Sequence, residues 1–168
     1  DKEISKKIFI KKKILPPKYL KFFFNKSIKS NVLLKKIKSK LGFPVVIKPF
    51  NEGSSVEVYI CSKKNFLKNL KKLSSYKEIM IEKYIPGREI QVAIMGKRKL
   101  GAIELVPKRK FYDYQAKYNV KSKTKHIIPV QISKKKINEV LNIALKAHKI
   151  IGCKGVNRSD FKLSLIHI

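Results

Sequence analysis

Lys48 closes an apolar, β-branched run, Phe43 to Lys48, and stands just ahead of Gly53-Ser54-Ser55. An ammonium at the end of a buried strand must point out toward the following loop. There the exposed amides around a glycine and two hydroxyls join it as a cradle for phosphate. The same Gly-Ser-Ser is also an ordinary turn composition. Glu82-Lys83 and Glu89 place carboxylates where ribose hydroxyls could donate to them, though alone they describe an exposed strand face equally well. Arg158 and Asp160, two residues apart in a strand-like run, project from one face while Phe161 and Leu163 point to the other side. One cation and one carboxylate on a face can bind an anionic group and a hard metal ion, or simply form a surface ion pair. Between them lies Phe111-Tyr112-Asp113-Tyr114-Gln115-Ala116-Lys117-Tyr118, whose four aromatics suit a lid that shuts water out or a cap on a nearby core.

The elements that must position these groups are legible from period and punctuation. A basic helix from Asp1 to Ile14 stops before Pro16-Pro17, which cannot continue it. Asn31 is expected to cap a second helix with Leu33, Leu34, Ile37 and Leu41 inward and Gly42 ending it. Strands are expected over 43–48, 56–60, 78–85, 89–95, 100–106 and 156–163, with a helix over 63–73 and a hairpin turn at 96–99. Ser133 begins the clearest helix, with Ile137, Val140, Leu141, Ala144, Leu145 and Ile151 at three- and four-residue steps and Gly152 at its end. Mixed helices and strands around a central hairpin predict an α+β chain with antiparallel sheet.

Composition bounds the partners. At 168 residues and 43% hydrophobic, the chain can bury a core, which excludes a wholly disordered tail. Its 41 basic against 11 acidic residues give a formal charge of +30, which fits a polyanion partner. Only Arg88, Arg98, Arg109 and Arg158 are arginines, however, and the lysines run from Lys2 to Lys162 rather than gathering on one face. Nucleic-acid surfaces favour the planar arginine fork, so a lysine-rich background accounts better for the charge. Cys61 and Cys153 lie far apart without metal-ligand spacing, and His126, His148 and His167 form no metal-like cluster. No apolar run approaches the ~18 residues of a membrane span and no signal peptide is legible, so the expected location is the cytoplasm.

Taken in order, the pieces are specific where each alone is not. Lys48-Pro49, Glu52-Gly53-Ser54-Ser55, Ile81-Glu82-Lys83, Pro86-Gly87-Arg88-Glu89, the aromatic run 111–118, and Gly152-Cys153-Lys154-Gly155-Val156-x-Arg158-Ser159-Asp160-Phe161 together resemble the D-alanine–D-alanine ligases. These are ATP-grasp carboxylate–amine ligases of bacterial wall synthesis. The resemblance runs from Asp1-Lys2 to about Leu163 and implies an ATP-grasp fold of two α+β lobes with largely antiparallel sheets, 1–82 and 83–168, incomplete at both ends. By residue match it implies that Lys2 and Lys48 contact the ATP phosphates beneath the loop Gly53, Ser54 and Ser55. Glu82, Lys83, the backbone of Ile85, and Glu89 would surround adenine and ribose. Lys117 would reach the phosphates, Tyr118 would bond Ser54 and close the D-alanine pocket, Arg158 would steady the acyl intermediate, and Asp160 would ligate Mg2+ or Mn2+.

The implied chemistry explains the residue types. A carboxylate is a poor electrophile, so its oxygen first attacks the γ-phosphorus of ATP, and a second D-alanine amine then displaces phosphate from the acyl phosphate. Both steps crowd anions together, which cations offset. Tyr118 favours a dipeptide product by analogy with the family. Glu57 departs from the family, standing where a small residue follows Ser-Ser-Val and close to the proposed phosphate loop. Asn157 is a milder departure before Arg158. The family's amino-terminal lobe, its Glu-x-Asn strand and its glycine-rich loop have no counterpart here, and Ser164 to Ile168 do not resemble its continuation. The expectation is therefore little or no ligase activity from these 168 residues, and a homodimeric full-length parent acting on D-alanine without nucleic-acid or membrane partners. Two other readings stand beside it: a basic nucleic-acid module stacking bases around Tyr112 to Lys123, and an ATP-grasp ligase with another acceptor.

Overall fold

A computed structural model describes residues 2–25, 29–52, 56–107 and 124–164. The chain divides into two units, Asp1–Glu3 with Pro17–Tyr84 and Ile4–Pro16 with Ile85–Ile168. The division after Tyr84 falls two residues beyond the expected boundary, and residues 4–16, expected in the first lobe, group with the second.

The first unit carries a four-stranded antiparallel sheet in the order β1-β4-β2-β3, formed by β1 (Tyr19–Phe23), β2 (Val45–Pro49), β3 (Tyr59–Cys61) and β4 (Glu78–Lys83). Alternation puts Leu20, Phe22, Val45, Ile47, Cys61, Ile79 and Ile81 on one face. Helices α2 (Ser30–Lys40) and α3 (Phe66–Lys72) cover that face with Leu33, Ile37, Phe66 and Leu70. Fully burying each such side chain stabilises the unit by about 1.5–3 kcal/mol. The Gly42 amide bonds the Ile37 carbonyl at 3.0 Å and Gly42 takes φ +74, the left-handed conformation that closes a helix.

Three local expectations need correction. The N-cap of α2 is Lys29 with no side-chain cap bond, so Asn31 lies inside the helix and does not cap it. The strand expected from Val56 begins only at Tyr59, because Val56 and Glu57 form a turn in which Glu57 takes φ +50. The third is an omission, since no strand was expected over 19–23, where β1 forms. Lys21 interrupts its hydrophobic run, yet that lysine faces away from the helices and the alternation survives.

In the second unit the sheet order is β7-β6-β5-β8, again antiparallel: β5 (Arg88–Met95), β6 (Arg98–Val106), β7 (Lys125–Ile127) and β8 (Val156–Leu163). The hairpin between β5 and β6 turns through Gly96 at φ +57. Ile90, Val92, Ile94, Phe161 and Leu163 face α4 (Lys134–Ile150), which packs Val140 and Ala144 against them. Ser133 Oγ accepts from the Lys136 amide at 3.3 Å, the expected N-cap. The remaining helix, α1 (Lys2–Lys11), ends well before Pro16-Pro17. Among the described residues no helix is long and apolar enough to cross a membrane.

Candidate functional site

In the first unit, the sheet face turned away from α2 and α3 carries Lys48, Val46, Met80, Glu82 and Lys21, brought together by the register pairs Lys48↔Met80, Val46↔Glu82 and Lys21↔Met80. Lys48 Nζ lies 2.5 Å from Glu82 Oε2, with the two side chains only 20% and 10% exposed. At that burial the pair is weakly screened and orients both groups. The phosphate and adenine candidates therefore meet each other directly. Lys83, next along β4, alternates to the opposite face and is exposed at the strand's end, so it does not join the pair.

Lys2 reaches the same end of β2 by another route. Its ammonium donates to the carbonyls of Pro49 at 3.3 Å and Phe50 at 2.7 Å, and to that of Glu52. Burial, and next the charge of Lys48, pull its pKa below the usual lysine range, while Glu52 and Glu82 act the other way. Beside it Lys21 pairs with Glu3 and Glu78, each at 2.9 Å, and lies over the Phe50 ring. The departure at Glu57 has a local account. Its carboxylate sits beside the Tyr76 hydroxyl and pushes that phenol up to about 12, so Glu57 is engaged with the segment before β4.

In the second unit the face of the sheet turned away from α4 gathers the other candidates. Glu89 stands opposite Lys162, Gln91 opposite Asp160, and Ala93 opposite Arg158. Arg158 Nε donates to Asp160 Oδ1 at 2.8 Å, and Lys162 Nζ to Glu89 Oε2 at 2.7 Å. The alternation expected for Arg158, Asp160, Phe161 and Leu163 is the one observed. Arg158 and Asp160 are 56% and 45% exposed, so their pair is solvated. Ile85 is half-buried in the connection from β4 to β5. Gly87 follows it because a Cβ there would lie 2.2 Å from the Leu163 carbonyl oxygen.

Three residues with structural or site roles escaped the sequence reading. Lys162 continues the same period of two that links Arg158 to Asp160, and extending the alternation finds it. Gln91 is buried directly across from Asp160. Glu104, a lone carboxylate in the apolar run Ala102 to Val106, had to have a partner: Arg88 grips it with two bonds of 2.6 and 2.5 Å and donates to the Gln131 carbonyl. Asn157 has a reason of its own, since its Oδ1 lies 2.8 Å from Nδ1 of the buried His148. Gly53, Ser54, Ser55, Lys117 and Tyr118, with the run 111–118 and the aromatic stretch offered for base stacking, lie outside the described residues. No group of three or more His, Cys, Asp or Glu among the described residues is placed to hold a metal ion.

Comparison with known proteins bears on the whole arrangement. Residues 9–165 match the family described as D-ala D-ala ligase C-terminus. The chain is 67% identical over 162 residues to D-alanine--D-alanine ligase of Pelagibacter ubique, covering 96% of this chain and 53% of that protein. It is 38% identical over 164 residues to the enzyme of Wolbachia pipientis wMel, covering 96% and 50%. Among solved structures, D-alanine--D-alanine ligase from Bacillus anthracis superposes with a TM-score of 0.79 at 30% identity, covering 98% of this chain and 53% of that one. VanG D-Ala:D-Ser ligase from Enterococcus faecalis superposes with 0.79 at 25% identity, covering 99% and 49%. The chain thus spans about half the length of the curated relatives it matches. With the match running from α1 into the residues after β8, and with two antiparallel sheets that superpose on solved ligases of this kind, the chain belongs to the D-ala D-ala ligase C-terminus family.

Proposed function

We propose that this chain supplies the nucleotide-handling part of an ATP-dependent D-alanine–D-alanine ligase. The observation that carries the reading is the placement of the expected groups. Lys48 and Glu82 share one sheet face and Glu89 and Asp160 another, each turned away from the helices of its own unit. A relative of the same name from Bacillus anthracis, solved in complex with ATP, superposes with a TM-score of 0.74 at 26% identity.

In this reading Lys48 takes the phosphates, its charge held in place by Glu82, and Glu82 with Ile85 borders the adenine. Glu89 accepts from the ribose hydroxyls. Asp160 is the described residue that would hold Mg2+. A hard, exposed carboxylate suits that ion, which commonly binds through one or two carboxylates plus phosphate oxygens. When bound, the ion offsets phosphate charge during transfer. Arg158, two residues from Asp160 and on its face, provides the fixed positive charge that a developing oxyanion requires. The oxygen of one D-alanine carboxylate attacks the γ-phosphorus and ADP leaves. The amine of a second then attacks the acyl carbon, losing a proton as phosphate departs. D-alanine rather than D-serine is favoured as acceptor by the identity of the Pelagibacter relative.

Calorimetric titration with ATP, with and without Mg2+, tests the nucleotide assignment. The expected result is saturable binding that Mg2+ strengthens, that Lys48→Ala weakens by tenfold or more, about the worth of a charged hydrogen bond, and that double-stranded DNA does not compete away. Unchanged affinity in Lys48→Ala, or binding displaced by DNA, overturns it. Product identification in the protein that contains this sequence, offered D-alanine with D-serine or D-lactate, decides the acceptor.

A further inference from the structure

Gln91 is a neutral amide in the middle of β5, and its side chain shares the face that displays Glu89, Arg158, Asp160 and Lys162. It is 8% exposed, yet among the described residues its amide group has no hydrogen-bond partner. Shielding an amide without a bond is unfavourable, which points to a partner that becomes available in another state of the site. The register sets Gln91 directly across from Asp160. Opposed residues of this kind hold their Cβ atoms about 4.5–5.5 Å apart, within the reach of a glutamine. Asp160 is engaged by Arg158, whose Nε lies 2.8 Å from Oδ1 and whose Nη2 lies 3.4 Å from Oδ2. Both carboxylate oxygens thus face one guanidinium, which competes for them with any metal ion. Lys162, the next residue along this face, bonds Glu89 instead.

We propose that Gln91 is a positioning residue for Asp160: when Arg158 withdraws, the Gln91 amide donates to one carboxylate oxygen and leaves the other turned to Mg2+. The proposal rests on the nucleotide reading only for assigning Mg2+ to Asp160. A neutral donor suits the task better than a charged group. A second cation would keep the carboxylate neutralised and weaken its hold on the ion, and a second carboxylate would repel Asp160. An amide fixes the orientation and leaves the negative charge intact, which matters because Mg2+ requires near-ideal octahedral geometry. Arg158, released from Asp160, is then available for the oxyanion assigned to it above.

NMR and calorimetry of the 168-residue chain test this independently. Arg158→Met releases Asp160 with no ligand present. The Gln91 side-chain amide protons are expected to move downfield in that variant and to return when Asp160→Ala is added. In ATP titrations, Gln91→Met should reduce the Mg2+ enhancement of affinity tenfold or more, the usual worth of an outer partner of a metal ligand, while affinity without Mg2+ is unchanged. A merely structural glutamine would lower both alike. Should Gln91→Met fail to fold, Gln91→Asn, which keeps the amide but shortens its reach, takes its place with the same expectation. Gln91 protons that ignore the loss of Arg158, a shift that survives the loss of Asp160, or an undiminished Mg2+ effect in the Gln91 variant each overturn the proposal. A chain that shows the Gln91 shift yet binds no ATP, or binds ATP no better with Mg2+, defeats the nucleotide reading and leaves the Gln91–Asp160 contact standing.

Discussion

The two sheets share one plan and differ in how they hold their charges. Each packs helices on one face and displays candidate chemistry on the other. In the first unit the displayed charges are half-buried: Lys48 and Glu82 pair at 2.5 Å, and Lys2 is bound to carbonyls. In the second unit the displayed pair Arg158 and Asp160 is solvated, though Glu89 beside it is shielded under Lys162, and a further shielded pair, Arg88 with Glu104, lies on the other face. A desolvated pair fixes geometry and its loss exposes an unpaired charge, whereas a solvated pair leaves its carboxylate ready to exchange partners. The first arrangement suits groups that must already be in place when a phosphate arrives. The second, on the function proposed above, suits a carboxylate that exchanges an arginine for a metal ion.

This contrast makes graded predictions. Lys48→Met should cost about 3 kcal/mol, the upper worth of a bond between charged groups at this burial, measured by urea unfolding. A loss within ~0.5 kcal/mol erases the difference between the faces. Arg88→Met should cost about 2 kcal/mol, because a charged, two-pronged bond to the buried Glu104 is lost; this sharpens the claim that the second unit also keeps a shielded pair on the helix side. Tyr76 offers a pH test of the Glu57 contact in the first unit. Its phenol is raised to about 12 by Glu57, so the neutral form is favoured in the fold. The stability it adds is complete below the ordinary tyrosine pKa of about 10 and lost as pH rises through about 12. Tyr76→Phe should remove that step from an alkaline unfolding profile, and an unaltered profile contradicts the Glu57 contact. The smallest stability effect belongs to Asp160→Asn, within about 1 kcal/mol for an exposed pair, while Mg2+ should no longer strengthen ATP binding. Equal stability losses at Asp160 and Lys48 break the comparison.

What the sequence revealed follows the same division. Local period found the elements: the stripe of α4, its Ser133 cap, and the alternation of β8 that sets Arg158 and Asp160 on one side. Motif order found the family, and it named Lys48, Glu82, Glu89 and Asp160 as candidates. Pairings across strands were invisible, because register depends on residues distant in the chain. Glu82 was read as a ribose or adenine contact, with no hint that Lys48 lies beside it. Lys2 was read as a phosphate contact, with no hint that its ammonium also meets the carbonyls of Pro49, Phe50 and Glu52. Asn31 was mistaken for a cap on composition alone; the helix starts at Ser30, two residues earlier than a cap at Asn31 would set it. At Glu57 a small residue was expected, and the positive φ there supplies a reason for that expectation.

Backbone amide shifts of the 168-residue chain, followed while ATP and Mg2+ are added, test most directly whether the faces turned from the helices take nucleotide. Movement is predicted at Lys48, Met80 and Glu82 and at Glu89, Gln91 and Asp160, with α2 and α4 unmoved. Shifts concentrated instead on the exposed lysines of α2 and α3 would mean that ATP meets only a diffuse positive surface, and would contradict the account.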